Sequence, residues 1–110
     1  MKKVEEKDYK FEMTNGSSLK AYIGTTYSKL VELLGPPTLP NPSGDDKVQK
    51  EWVVEFEGEY FTIYDWKTYN VDITINELDI WHIGGKVSAN RFLDYLHEEL
   101  EILEIRFNFT

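Results

Sequence analysis

The sequence predicts an α+β domain: an antiparallel sheet of about five to six strands packed against two helices. Three observations carry this expectation. Short runs that alternate apolar and polar residues recur along the chain, punctuated by Gly, Pro and Asn. Two segments show helical periodicity, each opened by a hydroxyl residue suited to capping. Strands gather between the helices and do not alternate with them singly, as a doubly wound fold would require.

The elements follow in order. Met1 to Lys7 is charged throughout and reads as a loose N-terminus to a single domain spanning residues 1–110. Tyr9 to Met13 and Leu19 to Ile23 alternate, and the Asn15-Gly16 turn signal between them predicts a hairpin. Thr25 or Thr26 caps a helix whose stripe is Tyr27, Leu30, Val31 and Leu34, at i, i+3, i+4, i+7. Gly35 stands at the left-handed C-terminal position, and Pro36-Pro37 forbid continuation. Pro36 to Lys47 reads as an exposed loop.

Lys50 to Phe56 and Glu59 to Trp66 are joined by Glu57-Gly58, a two-residue turn that fixes the pairing. Trp52 then faces Ile63, Val54 faces Phe61 and Lys50 faces Asp65, on the core side. The other face collects Val53, Tyr60, Thr62, Tyr64 and Trp66, with Glu51 opposite Tyr64 and Glu55 opposite Tyr60. A row so aromatic calls for cover, from the protein itself, from a partner or from a second copy in a homodimer.

Val71, Ile73 and Ile75 alternate as a strand would, and Leu78 to Ile83 resumes the pattern up to a bend at Gly84-Gly85. Ser88 caps a second helix that buries Ala89, Phe92, Leu93, Leu96, Leu100 and Leu103. The tail Ile105, Phe107, Phe109, alternating with Arg106, Asn108 and Thr110, suggests a final strand.

Composition narrows the function. The net charge is −8, from 12 basic and 20 acidic residues. Such a field repels nucleic-acid backbones and anionic lipid, which argues against nucleic acid or membrane as direct partners and favours basic proteins. No apolar run reaches the ~18 residues of a membrane span, and the start lacks the apolar core of a secretory signal. Without cysteine there is no disulfide, thiolate metal site or cysteine nucleophile, which fits a cytoplasmic setting.

Catalytic signatures are missing: no phosphate loop, no nucleophile elbow, no His-Glu-x-x-His helix. No cofactor, metal site or catalytic set is therefore expected. Of the two histidines, His97 lies among glutamates and reads as surface, while His82 adjoins Trp81 and the Gly-Gly bend. His82 acting as a general base would need an orienting carboxylate, Asp65 or Asp79 by element adjacency. Asp45-Asp46 lacks the further oxygen ligands that Mg²⁺ or Ca²⁺ demands.

Two clusters are the candidate binding residues. One is an acidic helix face, Asp94, Glu98, Glu101 and Glu104, whose carboxylates follow one another at about 6 Å and suit a basic groove. The other is aromatic: Tyr60, Tyr64, Trp66, Trp81 and His82, able to stack on a base or a cyclic nucleotide at ~1–3 kcal/mol per contact.

The run Thr26-Tyr27-Ser28-Lys29-Leu30-Val31-Glu32-Leu33-Leu34-Gly35-Pro36-Pro37-Thr38, followed by Trp52 and Phe56-Glu57-Gly58, resembles a half-motif of β-lactamase-inhibitor-protein-like and outer-membrane-assembly lipoprotein domains. The lipobox cysteine is absent, so the lipoprotein biology does not carry over. The likeness implies a binding module whose aromatic sheet face engages a protein. A wider pattern is similar to small proteins of tailed bacteriophages: Gly24-Thr25-Thr26-Tyr27, Leu34-Gly35, Lys47-Val48, Glu51-Trp52, Thr62-Ile63-Tyr64-Asp65-Trp66-Lys67 and Trp81-His82-Ile83-Gly84-Gly85. It brings no activity and no functional residues with it.

The leading expectation is a non-enzymatic, acidic, phage-type protein that inhibits a host defence complex, anti-CRISPR or anti-restriction, by contact with a host protein's basic surface. The alternative is a ligand- or nucleotide-sequestering module built on Tyr64, Trp66, Trp81 and His82. The third is a weak hydrolase centred on His82.

Overall fold

The computed structural model describes residues 1–108 and has the α+β architecture that the sequence predicts: one five-stranded antiparallel sheet and three α-helices. The strands are β1 (Lys2–Lys3), β2 (Ser18–Gly24), β3 (Glu51–Phe56), β4 (Glu59–Tyr64) and β5 (Ile80–Gly85), in the spatial order β1-β3-β4-β5-β2. The helices are α1 (Tyr27–Leu34), α2 (Val71–Asn76) and α3 (Asn90–Asn108).

The β3–β4 hairpin has the expected register, with Trp52 opposite Ile63 and Val54 opposite Phe61. Glu57 and Gly58 both take positive φ, 52° and 80°, the turn whose twist matches the strands it joins. Alternation then sends Trp52, Val54, Phe61, Ile63, Trp81, Ile83 and Ile23 to one face, where they are buried with Leu30 of α1 and Phe92 and Leu96 of α3. Phe61 and Phe92 stack at 4.7 Å between ring centroids, and Trp52 meets Trp81 edge-on at 5.5 Å. The Trp52 indole donates to the Gly35 carbonyl at 3.0 Å, so the residue that ends α1 also anchors the core.

The capping signals are realised. The Thr26 hydroxyl accepts from the Lys29 N–H, and Gly35, at φ 83°, closes α1 through its N–H to the Val31 carbonyl. Ser88 accepts from the Asn90 N–H at the start of α3.

Several expectations are corrected. Tyr9 to Met13 is not a strand. Glu6–Asp8 and Phe11–Met13 are 3-10 turns whose backbone groups bond locally, Met13 N–H to Lys10 and Thr14 N–H to Phe11, and Phe11 is exposed. The charged start is not loose either. Lys2 and Lys3 pair with Glu55 and Val54, and the Lys3 ammonium donates to the Pro36 carbonyl. The Pro-rich loop is pinned at Thr38, which is fully buried, accepts from the Val53 N–H and donates to the Val4 carbonyl.

Val71, Ile73 and Ile75 belong to α2, a third helix. Asn70 caps it by accepting from Asp72 and Ile73, and the residue it buries is Thr74, on the register that alternation marked as polar. Gly84-Gly85 is no bend but the extended end of β5, pressed against β4. A Cβ on Gly84 would lie 2.7 Å from Thr62 Oγ1, and one on Gly85 2.8 Å from Phe61 Cδ1. The expected final strand is also overturned: Ile105 and Phe107 continue α3, where i to i+4 bonding satisfies the backbone without a partner strand. Phe109 and Thr110 lie outside the described residues.

Candidate functional site

The sheet face turned away from the long helix α3 carries a row set by register. Glu51 on β3 lies opposite Tyr64 on β4, Tyr64 opposite His82 on β5, and His82 opposite Tyr22 on β2. The His82 ring meets Tyr22 at 4.9 Å and Tyr64 at 5.4 Å, and Tyr64 meets Trp66 edge-on at 6.3 Å. Trp66 and Tyr22 remain exposed, so the row is only partly covered.

The cover comes from the N-terminal segment. Val4 and Met13 line a cavity of about 550 Å³ beside Tyr60 and Glu55. Thr14 and Ser17 line a second, of about 250 Å³, whose other walls include Glu51, Thr62, Tyr64 and Trp66.

The aromatic cluster of the sequence reading is thereby divided. Tyr64, Trp66 and His82 come together, and Tyr60 sits further along the same face. Trp81 does not join them. Strand parity turns its side chain to the opposite face, where it is fully buried between Trp52 and Tyr27. A stack using both Trp66 and Trp81 is excluded by that geometry.

Electrostatics single out Glu51, which the sequence reading placed opposite Tyr64 but did not choose. Its half-buried carboxyl has no hydrogen-bond or ion-pair partner among the described residues. Burial, reinforced by the negative charge of Asp65, pushes its pKa up to about 7. The Tyr64 phenol is raised too, by burial first and then by Glu51 and Tyr22. Burial depresses the His82 imidazole, with Asp65 acting in the opposite sense.

Neither suggested orienter serves His82. Its Nδ1 is buried without a partner among the described residues. Asp65 is fully buried and committed elsewhere: Oδ1 accepts from the Gln49 and Lys50 N–H groups, and Oδ2 from the Thr68 and Thr74 hydroxyls. Asp79 offers His82 no hydrogen bond. The base–orienter pair of the hydrolase reading is therefore not assembled. Among the described residues, no group of three or more His, Asp or Glu side chains could hold a metal ion, and Asp45 accepts instead from Ser43 and the Lys47 N–H.

The acidic residues lie on α3 and fall into two pairs. Asp94 and Glu98 are exposed beside a groove floored by Phe56 and Tyr95, whose rings lie 5.3 Å apart. Glu101 and Glu104 border a smaller cavity with His97, which is exposed as expected. Lys29 engages Glu104 at 2.7 Å and holds its carboxyl below the usual range; Arg91, which lines the groove, is spent on Glu57, another of its walls, at 2.6 Å. Asp94, Glu98 and Glu101 have no ion-pair or hydrogen-bond partner among the described residues.

No helix among the described residues is long and apolar enough to cross a membrane. No family model matches the chain, and neither a curated protein nor a solved structure is similar to it at a significant level.

Proposed function

We propose that this chain is a non-enzymatic binding protein that docks the acidic face of α3 on a basic surface of another protein. One observation carries the reading. Asp94, Glu98 and Glu101 stand exposed along one helix with no ion-pair partner among the described residues, in a chain of net charge −8, and Arg91 in the same groove is paired with Glu57. Carboxylates held in that way repel one another, and a basic surface relieves the repulsion while steering encounter. The groove floored by Phe56 and Tyr95 beside Asp94 and Glu98 suits the aliphatic stem of an inserted Arg or Lys.

Small size, acidity and the lack of catalytic signatures, taken with the likeness to small tailed-phage proteins, support a host protein as the partner and inhibition of a defence complex, anti-CRISPR or anti-restriction, as the outcome. The test is capture of host proteins by the purified chain, followed by assay of the captured complex. Binding is expected to weaken with salt and to be lost in the triple variant Asp94→Lys, Glu98→Lys, Glu101→Lys. Capture and inhibition that survive triple reversal in a folded variant would overturn the reading.

A further inference from the structure

The pocket of about 250 Å³ on the other side of the sheet is unrelated to the α3 surface, and its lining is one-sided in chemistry. It holds a carboxyl, that of Glu51, together with the hydroxyls of Thr14, Ser17 and Thr62 and the rings of Tyr64 and Trp66, and no Lys, Arg or His. The Glu51 carboxyl lacks a partner among the described residues, and Ser17 Oγ is buried without one. An unpaired carboxyl in a half-enclosed pocket is costly unless a cation or a proton meets it. The aromatic wall attracts cations as well: the Lys47 and Lys67 ammonium groups lie over the Trp66 ring at 5.7 and 5.8 Å without lining the cavity.

We propose that this pocket binds a single organic cation, an alkylammonium or guanidinium group, held by the Glu51 carboxylate and the Ser17 and Thr62 hydroxyls against Tyr64 and Trp66. The N–H groups of such a cation meet acceptors, and its alkyl portion meets the rings. An anionic ring ligand such as a nucleotide would bring its charge to a carboxylate. The cation can come from a free amine or from a Lys or Arg side chain of a protein.

Occupancy depends on pH through Glu51, because only the carboxylate attracts the cation. The titratable and charged groups around Glu51 are Tyr64 on β4, His82 on β5, Tyr22 on β2, Asp65 beyond β4, and the lysines Lys47 and Lys67 at Trp66. Lys20, whose ammonium donates to the Ser18 hydroxyl, adds a cation at the rim.

The test is amide NMR titration of the full chain at pH 8 with agmatine, n-butylamine and AMP. Expected are saturable shifts at Ser17, Ser18, Thr62 and Gly84 with at least one of the amines. Glu51→Gln should weaken them about tenfold or more, as should lowering the pH to 5.5. Trp66→Ala, which alters an exposed side chain, should weaken binding without disturbing core resonances. An Arg- or Lys-containing tetrapeptide that binds tighter than the free amines identifies a protein side chain as the source, and weaker binding identifies a free amine. Absence of saturable amine shifts, equal affinity in folded Glu51→Gln, or tighter occupancy by AMP would overturn the proposal.

Discussion

Glu51 and Tyr64 oppose each other directly across β3 and β4, a carboxyl and a phenol sharing one half-covered sheet face. The carboxyl adds to burial in pushing the Tyr64 phenol up, whereas Glu51 itself is raised by burial and by the charge of Asp65.

The burial of the Glu51 carboxyl has a consequence for stability against pH. The Glu51 carboxyl titrates near 7 in the folded chain and near 4.5 when unfolded. Between those values the folded state holds the extra proton. The contribution of Glu51 to stability is therefore greatest below about 4.5, declines as pH rises through this window and stays lower above 7. The decline attributable to Glu51 is on the order of 2 kcal/mol. Urea unfolding from pH 4.5 to 8 should show this slope in the wild type and a flatter one in Glu51→Gln, with the variant the more stable at pH 8.

Asp65 ties the segment before β3 to α2 through Gln49, Lys50, Thr68 and Thr74. Asp65→Ala would leave one buried and one partly buried backbone donor without their acceptor and should cost about 3 kcal/mol or more, measured by chemical denaturation. Asp65→Asn, which keeps one carbonyl oxygen, should cost less.

Two tryptophans that look alike in sequence should behave differently. Trp81→Ala empties a fully buried site and is expected to cost about 3–5 kcal/mol. Trp66→Ala removes a ring that is 44% exposed and should cost under about 1.5 kcal/mol. Thermal or urea midpoints of the two variants give the comparison.

Gly84 is tested by a double-mutant cycle. Gly84→Ala drives a methyl against the Thr62 hydroxyl and is expected to lose about 1–3 kcal/mol. In a Thr62→Ala background that loss should shrink, giving a coupling of at least about 0.5 kcal/mol by urea unfolding.

Where a local signal dictates geometry, the sequence was sufficient. Glu57-Gly58 admits a tight turn and so sets the β3–β4 register, and Thr26, Gly35 and Pro36-Pro37 delimit α1. Where geometry is decided by distant partners, it was not. Val71, Ile73 and Ile75 alternate, but Asn70 and the Thr74–Asp65 bond make the segment helical. Lys2 and Lys3 look like solvated charges until β3 offers them an edge.

The same division holds for the site. Alternation places Tyr64 and Trp66 on one face, and the register adds Glu51 and His82. The parity of Trp81 depends on where β5 begins, which the interruption at Asn76-Glu77 obscured. That Glu51 lacks a partner is a property of the folded chain, with no local trace in the residues around it.

Finally, β1 shields part of the outer edge of β3, whose Trp52, Val53 and Val54 are fully buried. A chain trimmed or proteolysed before Val4 would leave the Val54–Glu55 end of that edge unpaired, a template for a strand of another copy, while Val4, Thr38 and Leu39 still cover the rest. Two lysines thus occupy the place at that edge which a neighbouring strand would otherwise fill.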